Sequence, residues 1–114
     1  MSYLEDSIDW QTVHAVDAWL DDSVSDVYQV QPQAQDWARI SKIGEELGEA
    51  IQAFIGATGQ NPRKGITNDM EAVLDELADT VFTGILAIQH FTKNTSVTRR
   101  ILREKLAKIG ARVS

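Results

Sequence analysis

Two acidic stretches, KIGEELGEA at residues 42–50 and DELAD at residues 75–79, determine how the rest of this sequence is interpreted. On an α-helix, positions i and i+3 are neighbours on one face, and like charges placed there repel each other. A cation held between two such pairs would remove the repulsion, and carboxylate oxygens are the ligands that Mg²⁺ prefers, with Mn²⁺ as the alternative. The two pairs with this spacing are Glu46 with Glu49 and Glu76 with Asp79.

Both stretches lie in segments with helical periodicity. Apolar residues recur in steps of three and four from Pro32 to Ile55, and Lys42 and the glutamates fall on the side away from them. A further helix is predicted from about Asn68, as its N-cap, to Phe91. The apolar ridge of the earlier segment consists of Trp37, Ile40, Gly44, Leu47, Ile51 and Phe54.

The segment after Asp79 is apolar on nearly all sides, which is typical of a helix buried on most faces. A chain of 114 residues can hardly enclose such a helix alone, so we expect a homodimer or homotetramer with this helix at the subunit interface. Its two ridges contain Met70, Leu74, Leu77, Val81, Ile85 and Ile88, and Ala78, Phe82 and Leu86.

The two ends of the chain complete the predicted fold. A first helix is expected over residues 3–20, with Ser2 as N-cap, and a last helix from Val97 to about Ile109, ended by Gly110. The apolar ridge expected on the first helix consists of Leu4, Ile8, Thr12, Ala15, Val16 and Trp19. Thr95 or Ser96 would cap the last helix, and no strand-like alternation occurs. The sequence therefore predicts one all-α domain over residues 1–114, an antiparallel bundle of about four helices whose core is completed by oligomerisation.

Composition excludes several classes of protein. The chain has no cysteine, so disulfides, thiolate zinc sites and cysteine nucleophiles are excluded. We read no signal peptide and no membrane span, and we expect a cytoplasmic protein. The formal net charge is −6, yet seven of the eleven basic residues lie in the last 22 positions. This basic tail could contact an anion or simply lie on the acidic body, and it is too narrow to predict nucleic-acid binding.

Few catalytic arrangements fit the remaining residues. His14 and His90 lie on different predicted helices without a marked serine nearby, so a nucleophilic triad is unsupported. A di-iron bundle would need Glu-x-x-His on two helices, whereas this chain has Glu-x-x-Glu and Glu-x-x-Asp.

The double glutamate at 45–46 with Glu49, followed after 26 intervening residues by Glu76 and Asp79, resembles the paired motif of the MazG-like all-α nucleoside triphosphate pyrophosphohydrolases. The resemblance covers roughly residues 33–112. It implies a Mg²⁺-dependent oligomeric helical enzyme that releases pyrophosphate from a nucleotide and leaves a monophosphate. Many relatives carry an Asn shortly after the second motif, but Ile85 and its neighbours occupy that region here.

Carried over to this chain, the resemblance implies roles for individual residues. Glu45 and Glu46 would be the catalytic carboxylates, with Glu45 orienting the attacking water or supporting the metal ligands. Trp37 would either stack on the base or pack in the core. The implied metal ligands are Glu46, Glu49, Glu76 and Asp79, and the implied substrate contacts are Lys42, Lys105 and Arg112, with Trp37.

Two other functions stay open at this point. The chain could be a non-catalytic helical interaction module whose acidic faces are only solvated. It could also hydrolyse other nucleotide diphosphates or triphosphates, and the sequence does not specify a base or a sugar.

Overall fold

A computed structural model describes residues 4–23 and 31–113 of the chain. Every regular element within these ranges is helical, which confirms the predicted all-α fold with about four α-helices. The elements are a 3-10 helix Leu4–Ser7, α1 Trp10–Asp22, α2 Pro32–Thr58, α3 Met70–Thr92 and α4 Thr95–Ala111.

The two longest helices, α2 and α3, form an antiparallel hairpin. Asp36 near the start of α2 contacts His90 near the end of α3, while Thr67 just before α3 donates its backbone N–H to Gly56 O at 2.9 Å. α2 ends at Gly59, whose left-handed φ of 66° is favoured by glycine. The loop from this C-cap to Asp69 then reverses the chain, which sets the carboxylates of α2 opposite those of α3.

Small side chains let the two helices of the hairpin approach closely. Ala50, Ala53 and Gly56 are buried at successive turns of α2, and Val73 is buried on α3. Glu46 and Glu49 lie on the same side of α2, one turn before Ala50 and Ala53 respectively. The packing of the hairpin therefore directs two of the α2 glutamates toward α3.

The first helix differs from its prediction. The chain forms a 3-10 helix and then starts α1 at Trp10, because Asp9 accepts hydrogen bonds from the backbone N–H groups of Gln11 and Thr12. The proposed cap at Ser2 lies outside the described residues. The buried face of α1 consists of Trp10, Val13 and Asp17, whereas Trp19, which we placed on the apolar ridge, is 64% exposed. The predicted ridge was therefore wrong for this helix.

The helix ends of α3 and α4 also shift. Asp69, and not Asn68, caps α3 by accepting from the backbone N–H of Ala72, and Asn94, and not Thr95 or Ser96, caps α4. Gly110 does not end α4, which continues to Ala111. Each observed cap has a side-chain oxygen in reach of backbone donors in the first turn, which is the geometry that stabilises a helix start.

Much of the apolar surface of the hairpin is uncovered in the single chain. Trp37 is 70% exposed, so within one chain it does not pack in a core as one of the two interpretations proposed. An apolar groove, defined here as the cavity of about 1320 Å³ bordered by Val16, Ile43, Val81 and Leu102, runs along the helices. The other large exposed apolar residues of α2 and α3 are Ile40, Leu47, Ile51, Phe54, Met70, Leu74, Leu77, Val81, Phe82 and Phe91.

In the described part of the chain, no helix combines the length and the apolar character that crossing a membrane requires.

Candidate metal centre

Three of the predicted metal ligands meet between α2 and α3. Glu46, Glu49 and Glu76 each offer a carboxylate oxygen, and these three oxygens lie within 4.8 Å of one another. The side chain of Glu46 is only 12% exposed. Because a divalent cation with oxygen ligands needs several carboxylate or water oxygens around one point, this grouping has the donor chemistry of a Mg²⁺ or Mn²⁺ site.

The fourth predicted ligand, Asp79, joins this group through Glu76. Asp75, Glu76 and Asp79 also offer oxygens within 4.8 Å of one another. Glu76 therefore belongs to two adjoining carboxylate groups, one shared with α2 and one formed within α3. Asp75 was not among the predicted ligands, although it stands in the quoted motif directly before Glu76.

Glu76 has the least favourable environment for a charge in this group. Removal from water raises the pKa of the Glu76 carboxyl, and contact with the Glu49 carboxylate and the charges of Asp79 and Glu46 raise it further. Its Oε2 atom is buried and has no hydrogen-bond partner among the described residues. A buried acceptor without a partner costs free energy that a bound cation would offset. The described residues around Glu76 therefore fit a cation.

A cavity of about 630 Å³, called the acidic cavity below, opens beside these carboxylates. Lys42 stands at its edge, with Nζ 3.5 Å from Glu45 Oε2 and 3.4 Å from Glu46 Oε1. These contacts raise the pKa of the Lys42 ammonium, which keeps its positive charge next to the carboxylates. The residues that line the acidic cavity are Lys42, Glu45, Gly48, Glu49, Gln52, Ala53, Asn68, Ala72 and Glu76.

Three predicted substrate contacts lie elsewhere. Trp37 does not line the acidic cavity, and it lies on α2 about 8 Å along the axis from Lys42, at 1.5 Å per residue. Lys105 and Arg112 are exposed on α4 and its C-cap. α4 packs against α3, α1 and the 3-10 helix. Of these elements, only α3 contributes residues to the described lining of the acidic cavity. Within one chain these three side chains are therefore not brought to the carboxylates.

Part of the basic tail instead holds the N-terminal segment. Arg103 pairs with Glu5, and Arg99 pairs with Asp6 and lies over the Trp10 ring, with 5.8 Å from the guanidinium carbon to the ring centroid. Trp10 in turn donates its Nε1–H to the Glu5 backbone oxygen at 2.7 Å. These two arginines of the basic tail therefore lie on acidic residues of the body, which is one of the two alternatives that the sequence left open.

Sequence reasoning missed five of the residues that line the acidic cavity: the alanines Ala53 and Ala72, and Gly48, Gln52 and Asn68. Gly48 and Gln52 follow Glu45 at steps of three and four, so helical spacing could have found them. Asn68 comes from the loop that folds back over the end of α2, and local spacing does not predict such a position.

A second group of acids lies where α1, α2 and the end of α3 meet. Asp17, only 3% exposed, pairs with Arg39 and accepts from Lys93 Nζ at 2.8 Å. Burial alone would raise the pKa of the Asp21 carboxyl. The hydrogen bond from Lys93 and the nearby cations outweigh this effect, so the pKa is lowered. His90 Nε2 lies 2.7 Å from Asp36 Oδ1. Since cations of the chain already balance this group, we interpret it as an interhelical ion-pair network.

Searches against protein-family models, curated proteins and solved structures find no match to this chain.

Proposed function

We propose that this protein is a Mg²⁺-dependent nucleoside triphosphate pyrophosphohydrolase that releases pyrophosphate and leaves a nucleoside monophosphate, as part of nucleotide housecleaning. The observation that carries the proposal is the meeting of Glu46, Glu49 and Glu76 from two helices, with oxygens within 4.8 Å of one another. The buried Oε2 of Glu76, which has no hydrogen-bond partner in the described part of the chain, supports a cation at this point. The resemblance of the paired motif gives the reaction class.

The proposed chemistry assigns a task to each polar side chain at the site. Bound Mg²⁺ would supply charge neutralisation on the phosphate oxygens. Glu46, Glu49 and Glu76, with Asp79, would hold the cation. Glu45 is exposed at the cavity edge, where its carboxylate can orient a water molecule and accept its proton.

Lys42 would bind phosphate. It is the one cation among the described residues that line the acidic cavity, and its side chain is 54% exposed. A triphosphate that enters would exchange the contacts of Lys42 with Glu45 and Glu46 for charge-assisted hydrogen bonds to phosphate oxygens. Without a metal, the carboxylates would repel the triphosphate, so activity should depend strongly on the divalent cation.

We also propose that the working form is a homo-oligomer in which a second copy covers the exposed apolar residues of α2 and α3. The radius of gyration is 17.0 Å, against about 13 Å for a compact domain of ~100 residues. The accessible surface is 8206 Å², roughly 2,000 Å² more than area scaling gives for a compact monomer of this length. Burial of this excess would match the area that each chain contributes to a large obligate dimer.

The test of the proposed reaction is pyrophosphate release from a panel of nucleoside triphosphates and diphosphates, with Mg²⁺ and with EDTA. Glu49→Gln and Asp79→Asn should each reduce turnover about tenfold to a hundredfold, because each removes a charged ligand. Full activity of either variant would contradict the assignment. Release of orthophosphate alone would instead favour hydrolysis of other phosphoanhydrides.

One observation favours a different function. The exposed apolar residues of α2 and α3 also suit a non-catalytic helical module that binds another protein. Calorimetric titration with Mg²⁺ separates the two, since a solvated acidic surface would show no saturable site.

A further inference from the structure

The two ends of the acidic cavity differ in their chemistry. Lys42 stands at one end, and Gln52 and Asn68 line the other. Lys42 and Gln52 are ten residues apart on α2, which places their backbones about 15 Å apart along the helix axis. Glu49 lies between Lys42 and Gln52 on α2, and Glu76 is grouped with Glu49. A long ligand bound to these carboxylates would therefore meet a cation on one side and two neutral amides on the other.

The amide of Asn68 is held in place by Gly56. A Cβ built on Gly56 would lie 2.7 Å from Asn68 Nδ2 and 2.5 Å from Thr67 Oγ1, so only glycine leaves room for both side chains as they stand. The backbone hydrogen bond from Thr67 to Gly56 fixes the same loop against α2. The close approach to Gly56 therefore places Asn68, and its side chain is not used as the cap of α3, a role that Asp69 fills.

Both amides are available to a ligand. Among the residues that the structure describes, neither Gln52 nor Asn68 makes a side-chain hydrogen bond, and both side chains are exposed to the acidic cavity. A carboxamide offers both a donor and an acceptor. Phosphate oxygens only accept hydrogen bonds, so they pair only with donors of the protein. Base edges and sugar hydroxyls present both donors and acceptors, and a carboxamide can therefore pair with them through both of its groups.

From these observations, and resting on the proposed function, we propose that a bound nucleotide is oriented with its phosphates toward Lys42 and its nucleoside against Gln52 and Asn68. These two amides would then be specificity-determining residues of the site. Gly56 is the positioning residue for Asn68.

The experiment compares two probes on the same set of variants. The first is the set of Mg²⁺ complexes of the common ribo- and deoxyribonucleoside triphosphates, measured as kcat and KM for pyrophosphate release. The second is Mg²⁺-tripolyphosphate, which carries the phosphates without a nucleoside, measured as an inhibitor of the same reaction. Comparing nucleotides within the first set distinguishes contacts to the base from contacts to the sugar, because some members differ only in the base and others only in the 2′-hydroxyl.

Asn68→Ala and Gln52→Ala should each raise KM about threefold to tenfold, the effect of losing one or two neutral hydrogen bonds, with kcat and tripolyphosphate inhibition unchanged. Lys42→Met should weaken the binding of both probes, with a higher KM for the nucleotides and weaker inhibition by tripolyphosphate. Gly56→Ala should raise the nucleotide KM as Asn68→Ala does, because the added methyl group displaces the amide without removing it. The control is Gln33→Ala, an exposed glutamine of α2 outside the acidic cavity, which should behave as the unmutated protein.

Failure can be assigned to one proposal or the other. If the unmutated protein releases no pyrophosphate from any nucleotide, the proposed function falls, and this inference falls with it. If the unmutated protein is active while Asn68→Ala and Gln52→Ala keep its KM, the orientation alone is overturned. The orientation is likewise overturned if Trp37→Ala changes the preference among bases and the two amide variants do not.

Discussion

Replacing Gly48 by alanine should make the protein more stable and less active at the same time. Gly48 lies in the interior of α2 and lines the acidic cavity, and a Cβ built on it meets no atom of residues 4–23 or 31–113 within 4 Å. Glycine in a helix interior is about 0.5–1 kcal/mol less favourable than alanine, so Gly48→Ala should gain roughly this free energy of unfolding. For a domain of this size, the gain corresponds to a Tm about 3–6 °C higher.

The same methyl group would occupy space that a ligand of the acidic cavity needs. Forcing an extra methyl group into a packed contact costs roughly 1–3 kcal/mol, so KM for the nucleotide should rise about tenfold or more. Thermal unfolding followed by circular dichroism gives the stability, and pyrophosphate release gives the KM. Gly110→Ala is the control, because Gly110 is exposed in the last turn of α4 and outside both cavities.

Two results would refute this reasoning about Gly48. A more stable variant with an unchanged KM would mean that no ligand lies against this wall of the cavity. A less stable variant would mean that the space around Gly48 is already filled, for example by a second copy of the chain. Gly110→Ala should leave KM unchanged, and a change there would show that the assay responds to substitutions outside the cavity.

Three further predictions concern the ion pairs, the pH dependence and the oligomer. Asp17→Asn should lower the stability by about 2–4 kcal/mol in thermal unfolding, because the nearly buried Arg39 loses its closest carboxylate and, among the described residues, keeps only Asp21, 4.0 Å away. The exposed Asp22→Asn should leave the stability unchanged, and equal Tm values of the two variants would contradict this. Because the pKa of Glu76 is raised above 4.5 in the folded state, the metal-free fold should gain stability as pH falls through the range just above 4.5, and denaturant titrations of Glu76→Gln should lack this gain. If the variant keeps it, another group is responsible. Val81→Lys should yield monomers in sedimentation, while Val113→Lys should sediment as the unmutated protein, and an unchanged oligomer in the former would exclude this part of α3 from the interface.

The helices could be predicted because apolar periodicity is a property of local sequence. The bounds of α2 agree with prediction at Pro32, where proline suits the first turn, and differ by three residues at the C-terminal end, where Gly59 is the actual cap. The pairing of Glu49 with Glu76 was also within reach, since i and i+3 spacing places each carboxylate pair on one face. What spacing alone did not predict is the close approach of the helices, which depends on Ala50 and Ala53.

Positions set by tertiary contacts could not be predicted in this way. The buried face of α1 was misassigned because Asp17, a charged residue, lies on it, and its burial depends on Arg39 and Lys93 from distant segments. Asn68 reaches the acidic cavity through a loop that depends on Gly56. To predict either position, one must know which segments of the chain meet in the fold. Amphipathic periodicity does not contain this information, because it reports only which face of a single helix is apolar.

The central claim is that carboxylates from α2 and α3 form one divalent-cation site, and titration calorimetry with Mg²⁺ tests it most directly. The unmutated protein should bind Mg²⁺ saturably, Glu49→Gln and Asp79→Asn should each weaken binding about tenfold or more, and Glu104→Gln, on the exposed surface of α4, should leave it unchanged. Absence of saturable binding by the unmutated protein, or equal affinity in Glu49→Gln, would contradict the claim.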